Sequence, residues 1–566
     1  MQEPVTQPPP SMAGTAVPAR RRIGLRQGLA FGIFAAAFVY FLRYFEDAYW
    51  QPTVDLAWFV AGLSWAVTFW RRDTPSLPRM QHPYWAYLLY VAILVSFATN
   101  WRWVMAGDNL SWPFGGLFMA QHGPTRSLLS ANGADNFGYL QMTLHDTFML
   151  LVSPTIFWHR VGKITIGVLA FAAVFTVFAR LVSRPFGLLV AACAASCSVW
   201  IVYTYASVPF VDGIASGYAL LAIGLWVRRD PYARRPWLVM GLLSGFMLFL
   251  TPNGWFMALC VWGWLGPQVL FRRWPLGHLV LAVVTTVIVG SPMLIQWAHG
   301  GGGQLFSLVE NPGWTVQKVS RFLREAAFIP FSSGIDNSGA FGPQLPWGFR
   351  WLFVPGILVT PLFARRFPAA RFVLCLFLIH VVILAFAQGP YGGVSVKRAL
   401  VLIPMATYFA FLPFHQWLRS FPVVLPVIAV WASLGAYDIV AHIKPGRTGY
   451  TLLDGVVEAH QRFSPATVCV VLRKDGRADA FAPGGELDRL YGLSPRLVHV
   501  TEASNPACHE VLCYCPQPYD PSDQRATDED KATRRIDLKA LGYDEVPLMN
   551  SVELRCGRKT AASAGS

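Results

Sequence analysis

Long apolar segments separated by short charged links run through most of this sequence, and they constrain what the chain can fold into. About thirteen runs of about 17–21 residues recur between positions 27 and 441, each long enough to cross a hydrocarbon core of about 30 Å as a helix. Inside a bilayer every backbone polar group must find its partner within the protein, which favours helices. The runs lie near residues 27–45, 54–70, 84–104, 164–181, 186–206, 210–228, 237–252, 254–271, 276–296, 351–364, 372–388, 398–414 and 421–441.

The charged residues between these runs are sorted by side. With the N-terminus in the cytoplasm, the paired arginines fall on the cytoplasmic side, whereas the acids other than Glu3, Asp73 and Asp230 fall on the outer side. The net charge of +15 is therefore a topology signal rather than a nucleic-acid-binding patch. A charged fraction of 14% also excludes an ordinary soluble globular protein, in which about a quarter of the residues are charged.

The sequence divides into three parts. We expect residues 1–26 to be a disordered, Pro-rich cytoplasmic tail and residues 27–446 to be the membrane domain, with long outer loops at 105–162 and 297–350. An odd number of spans places the C-terminus outside the cytoplasm, in a bacterial inner membrane on the periplasmic side. Short β-rich runs at 467–472, 497–500, 510–514 and 552–555 predict a small extracytoplasmic α/β domain over 447–566.

Cysteines concentrate in this last part of the chain. In an oxidising compartment they favour one or two disulfides with one thiol left over. The alternative is a zinc site, although the spacing of the cluster from Cys508 to Cys515 fits no common finger. The cysteines concerned are Cys469, Cys508, Cys513, Cys515 and Cys556.

Ionisable residues at the outer ends of the spans are the candidate functional groups. Asp108 and Asp212 each stand where an apolar run meets the outer interface, where a carboxylate either caps a helix or acts as a base. Lys397 and Arg398 form a basic pair on the outer side, against the positive-inside bias, which favours a specific anion or else contact with lipid headgroups. The further candidates are loop residues: Asp135, His145 and Asp146 in the first loop, and Arg321, Arg324 and Glu325 in the second.

Four of these stretches resemble the GT-C superfamily of integral-membrane glycosyltransferases. They are Gly-Asp-Asn at 107–109 after a span, Ser-Val-Pro-Phe-Val-Asp-Gly at 207–213, the Gly-rich span ending in Thr-Pro-Asn-Gly at 245–254, and the basic pair with a following Pro at 396–404. Two features differ from the family pattern: Asn109 replaces a second acid, and two spans precede the first motif. The resemblance implies that Asp108 is the catalytic base, that Asp212 is a second catalytic carboxylate, and that Lys397 and Arg398 hold the donor phosphate.

The expected activity follows from this resemblance. It implies an inverting glycosyltransferase that moves a sugar from a polyprenyl-phosphate donor, such as undecaprenyl phosphate, to a lipid, glycan or protein acceptor at the outer face. Arg321 and Arg324 would add to the phosphate site, and Asp135, His145, Asp146 and Glu325 would face the acceptor. The cofactor is left open, with a divalent metal as one alternative. The competing function is a transporter or flippase of lipid-linked glycans, although the spans carry few charges at mid-depth.

Overall fold

The protein is seen in a computed structural model that describes twenty-five stretches and single positions of the chain, from residue 24 to residue 559. These are residues 24–45, 52–70, 84–88, 90–91, 129, 140, 144–152, 156–197, 200–201, 204, 211–250, 252–272, 274–298, 316–317, 319–321, 323, 350–386, 400–438, 459, 462, 468–471, 496–498, 511–514, 537–546 and 555–559.

The described part of the chain is mostly helical. Its helices are α1 (Leu25–Tyr44), α2 (Pro52–Phe69), the short α3 (Thr147–Leu151), α4 (Ile156–Leu181), α5 (Arg184–Ala195), α6 (Val211–Arg229), α7 (Arg234–Met247), α8 (Pro252–Phe271), α9 (Leu276–Gln296), α10 (Arg350–Arg366), α11 (Pro368–Phe386), α12 (Leu402–Phe411) and α13 (Phe421–Asp438).

Six helices of the described residues are long and apolar enough to cross a membrane. They are Leu25–Tyr44, Pro52–Phe69, Trp158–Leu181, Val211–Arg229, Gly254–Phe271 and Leu276–Gln296. Shorter apolar helices occupy most of the other predicted runs, whereas the run at 84–104 is described only at 84–88 and 90–91. The total of thirteen spans stays a prediction.

The outer surfaces of several helices carry large exposed apolar side chains. Leu29 of α1, Leu63 of α2 and Leu362 of α10 are examples. Contiguous exposed apolar surface of this kind marks contact with lipid or with another protein. Together with the span lengths, it indicates a membrane protein.

Helix α5 lies at the centre of the helical bundle. Nine of its residues, including Phe186 and Val190, are buried. The tight link from α4 is stabilised by Ser183, whose side chain accepts a hydrogen bond of 3.4 Å from the backbone N–H of Phe186, a typical N-cap. Helices α4, α12 and α13 pack around α5, and buried residues of all four belong to one apolar cluster.

The α1–α2 hairpin packs against α9 beside a proline. Pro292 lies inside α9 and has no N–H with which to bond the carbonyl of Ile288. Ser291 donates to that carbonyl instead, over 2.8 Å, and the indole of Trp58 donates to the carbonyl of Val289 over 3.0 Å. These two donors satisfy backbone groups that lipid could not.

Ionisable residues lie at both ends of the bundle. At one end, Arg228 lies over the ring of Trp264 and Arg234 over that of Phe69. At the other end lie the first turns of α4 and α6, which carry Lys163 and Asp212. Which of these ends faces the cytoplasm stays a prediction.

The C-terminal part contains a five-stranded mixed sheet. Its strands are β1 (Val468–Val471), β2 (Arg496–Val498), β3 (Val511–Tyr514), β4 (Tyr543–Val546) and β5 (Arg555–Lys559), in the order β2-β1-β3-β5-β4. Strand β1 is parallel to β2 and β3, and β5 is antiparallel to β3 and β4. The predicted β-rich runs overlap strands β1, β2 and β3. The last predicted run, at 552–555, overlaps β5 only at residue 555.

A disulfide joins two strands of this sheet. Cys513 of β3 and Cys556 of β5 are direct neighbours in the antiparallel register and are bonded to each other. Cys469 of β1 is also disulfide-bonded. The disulfide prediction is confirmed for Cys513 and Cys556, and the zinc alternative loses Cys513 as a ligand. Whether helices accompany the sheet in an α/β domain stays a prediction.

Candidate functional site

Asp212 lies in the first turn of α6 and is buried. Its Oδ1 accepts a 2.6 Å hydrogen bond from the backbone N–H of Gly213, and its backbone carbonyl accepts a 2.7 Å bond from the hydroxyl of Ser216. A carboxylate in this position is stabilised by the helix dipole. Asp212 therefore lies within α6 rather than at its N-cap, and its other oxygen, Oδ2, has a different partner.

That partner is His145, which the first outer loop contributes. Its Nε2 lies 3.7 Å from Oδ2 of Asp212, and both side chains are almost fully buried, at 1% and 4% exposure. At this separation the two groups are in contact but are too far apart for a hydrogen bond. Two candidates that are 67 positions apart in the sequence thus meet at one end of the bundle.

The backbone at His145 rests directly on α4. A Cβ atom at Gly162 would collide with the carbonyl oxygen of His145, so only glycine permits this close approach. The predicted outer loop at 105–162 is too long at its C-terminal end, because α4 already begins at Ile156. The apolar-run criterion missed the first turns of α4 because their polar residues interrupt the run.

The next residue, Asp146, forms a second buried contact. Its Oδ1 pairs with Nδ1 of His159 in α4, and both side chains have no exposed surface. Lys163, one turn further along α4, is also buried and interacts electrostatically with Asp146. The i, i+4 spacing puts His159 and Lys163 on the same face of α4, with Gly162 beside them.

The start of α8 completes the surroundings of Asp212. A Cβ at Gly254 would lie 2.8 Å from the hydroxyl oxygen of Ser216 and 3.7 Å from the Cα of Gly213. The Thr-Pro-Asn-Gly stretch that the sequence analysis singled out therefore ends against the first turn of α6.

The other predicted site residues are not brought into this cluster by the described part of the chain. Arg321 is described and is exposed on a short helical stretch. The rest lie outside the described residues: Asp108, Asp135, Arg324, Glu325, Lys397 and Arg398.

Among the described residues, no group of three or more His, Cys, Asp or Glu side chains could hold a metal ion. The cluster of His145, Asp146, His159 and Asp212 contains two carboxylates and two imidazoles that are shielded from water. Such groups are suited to proton transfer and to the orientation of a hydroxyl group.

His159 and Lys163 were missed by the sequence analysis. The available signal was the sequence His-Arg-Val-Gly-Lys at 159–163, in which a histidine, a glycine and a lysine recur on one helix face directly before an apolar run. Polar residues buried on such a face need partners, and the preceding loop supplies one in Asp146.

Comparisons with known proteins identify only distant similarities. No family model matches the sequence, and no curated protein matches it. A crystal structure of ArnT from Cupriavidus metallidurans in the apo state is 13% identical, with a TM-score of 0.46, over 85% of this chain and 100% of that one. The same protein bound to undecaprenyl phosphate is 14% identical, with a TM-score of 0.45, over 86% and 100%.

A third solved structure is the oligosaccharyltransferase from Archaeoglobus fulgidus in complex with Zn and sulfate. It is 11% identical, with a TM-score of 0.44, over 84% of this chain and 73% of that one. All three TM-scores lie below 0.5.

Proposed function

We propose that this protein is a membrane glycosyltransferase that moves a sugar from a polyprenyl-phosphate donor to a lipid, glycan or protein acceptor. The observation that carries the proposal is the buried contact between Asp212 and His145, at the bundle end opposite Arg228 and Arg234. Buried ionisable residues at the edge of a membrane domain are costly and are usually retained for function.

The chemistry requires a base and an anion site. In an inverting transfer, a carboxylate takes the proton of the acceptor hydroxyl while the acceptor oxygen attacks the anomeric carbon. The bond from that carbon to the phosphate oxygen breaks, and polyprenyl phosphate leaves with the electron pair. We assign the base to Asp108, in line with the resemblance to GT-C enzymes, and a supporting catalytic role to Asp212.

The anion site is assigned to Lys397 and Arg398. The described chain resumes at Leu400, and the hydroxyl of Tyr218 in α6 donates a 2.9 Å hydrogen bond to the carbonyl of Val401. Tyr218 is six residues after Asp212, about 9 Å along a helix. This bond ties the segment that follows the basic pair to the same helix as Asp212, which supports a shared site.

The remaining assignments belong to the same proposal. Arg321 and Arg324 would extend the phosphate site, and Asp135, His145 and Glu325 would face the acceptor, whereas Asp146 is paired with the buried His159. We further propose thirteen spans within residues 27–446, a cytoplasmic tail at 1–26, and a periplasmic α/β domain at 447–566 in a bacterial inner membrane. The disulfide between Cys513 and Cys556 supports an oxidising compartment for that domain.

The test uses the purified protein and a radiolabelled polyprenyl-phosphate sugar. We expect release of free polyprenyl phosphate in the presence of an acceptor extract, and no release from Asp108→Asn. Movement of intact lipid-linked glycan across the bilayer of a vesicle, without cleavage, would instead support the transporter alternative and overturn the proposal.

A further inference from the structure

Two adjacent residues, His145 and Asp146, send their side chains to different helices. His145 contacts Asp212 of α6, and Asp146 contacts His159 of α4. Since consecutive side chains in a helical turn diverge by about 100°, the peptide between them lies in the cleft where the two helices meet. The orientation of one side chain is therefore coupled to that of the other.

The turn has few ways to move. Its backbone lies against Gly162, where any side chain would collide with the carbonyl of His145. On its C-terminal side, the carbonyl of Asp146 accepts a 3.0 Å hydrogen bond from the N–H of Leu150 in α3. The hydroxyl of Thr147 donates a 2.9 Å bond back to the carbonyl of Leu144. The side chain of Asp146 links this turn to His159 and Lys163 of α4.

His159 is suited to hold this carboxylate and nothing else. Its Nδ1 faces Oδ1 of Asp146, while its Nε2 has no hydrogen-bond partner in the described structure. A buried imidazole with a single partner is oriented by that partner. His159 therefore holds Asp146 in place, and Asp146 in turn holds the turn that contains His145.

We infer that Asp146 and His159 form a positioning pair, which holds the imidazole of His145 against Asp212. The catalytic consequence of this inference rests on the proposed function. The placement of His145 against Asp212 does not. The pair does not touch the reacting atoms; it fixes the acceptor-side group that does. Breaking the pair should lower kcat and leave the KM for the donor unchanged.

The first experiment measures how firmly the turn that contains His145 is held against the helices, and it needs no activity assay. Hydrogen exchange is followed in a peptide covering α3, where the N–H of Leu150 reports on the turn. His159→Phe should raise the exchange rate at least about tenfold, because a charge-assisted bond is lost. His159→Asn can still donate from the position of Nδ1 and should stay close to wild type. The matched control is His380→Phe, which replaces another fully buried histidine, one that lies edge-on to Phe256.

Equal exchange in wild type and His159→Phe would overturn the inference, as would equal acceleration by His380→Phe. If His159→Phe does not fold, Asp146→Asn is the substitute, because it removes the charge and keeps the shape. The same exchange measurement and the same control then apply.

The second experiment measures kcat in a double-mutant cycle. If the pair acts only by placing His145, then His145→Gln/His159→Phe should be no slower than His145→Gln alone, within about twofold. A purely structural contribution would instead multiply the two losses and overturn the inference. A wild type that turns over no donor would refute the proposed function, while the exchange result would still decide the docking.

Discussion

The side-chain amide of Gln296 donates a 2.7 Å hydrogen bond to the backbone carbonyl of Leu129. Gln296 is the last residue of α9, and Leu129 belongs to the first outer loop. Leu129 also packs in a buried cluster with Phe41, Phe249 and Met293. The first outer loop is therefore attached to the helices at two places, at Leu129 and at the turn that contains His145. These attachments make it part of the helical domain.

Gln296→Leu should loosen this attachment. The carbonyl of Leu129 would remain buried without a donor, which costs about 1–3 kcal/mol. We expect a lower midpoint of thermal unfolding in detergent and faster proteolysis of the first outer loop. The matched control is Gln268→Leu, because Gln268 bonds to the carbonyl of Trp264 within its own helix. Equal loop proteolysis in the two variants would contradict the anchoring role.

Gly162→Ala should displace the turn at His145. The added methyl group meets a backbone carbonyl, which cannot rotate away, and overpacking of this kind costs about 1–3 kcal/mol. We expect at least about tenfold slower polyprenyl phosphate release, since misplacement at a site is costly. Gly263→Ala is the control, because nothing lies within 4 Å of its Cβ position. Unchanged release from Gly162→Ala would show that this contact does not support the site.

Asp212→Asn should preserve the fold and remove most of the activity. The amide can still accept from the N–H of Gly213, but it carries no negative charge and cannot take up a proton. A lost acid–base or orienting group lowers kcat by about 10²- to 10⁴-fold. Asp230→Asn makes the same chemical change just beyond the other end of α6 and should leave kcat close to wild type. The measurement is single-turnover release of labelled polyprenyl phosphate, and loss of activity in both variants would argue against a specific role for Asp212.

Cys513→Ser should destabilise the C-terminal sheet. The bond to Cys556 closes a loop with a sequence separation of 43, and losing a disulfide of this kind costs about 2–4 kcal/mol. We expect faster proteolysis of the C-terminal part, with no change in α4 or α6. Cys375→Ser removes an exposed free thiol and should have no effect. Resistance equal to wild type would mean that the sheet does not depend on this bond.

The helices could be predicted well from the sequence because lipid imposes a simple rule on apolar runs. The ends of a helix are harder to predict where polar residues continue it. An example is α4, in whose first turns His159 and Lys163 are buried. Strand β4 was missed because Asp544 and Glu545 interrupt the β-rich pattern, and their side chains lie on the outer part of the sheet. Burial in these places depends on neighbours that a single sequence does not reveal.

The site could be predicted only in part. Asp212 was a candidate because it lies at a span end and His145 because it lies in the first outer loop, and the structure brings them together. The pairing of Asp146 with His159 depends on how a turn docks on a helix, which residue spacing does not show. The proposed roles of Asp108 and Arg398 stay predictions.

The arginines around the α6–α7 link have a consequence for how copies of the protein are arranged in a cell. Inverting the bundle in the membrane would move four arginines across the hydrocarbon: Arg228, Arg229, Arg234 and Arg235. Against a membrane potential of 100 mV, each of these charges adds about 2.3 kcal/mol to the free-energy cost. No copy should therefore insert upside down. Under the proposed function, every molecule would then consume its lipid carrier on the same surface and return the spent carrier there.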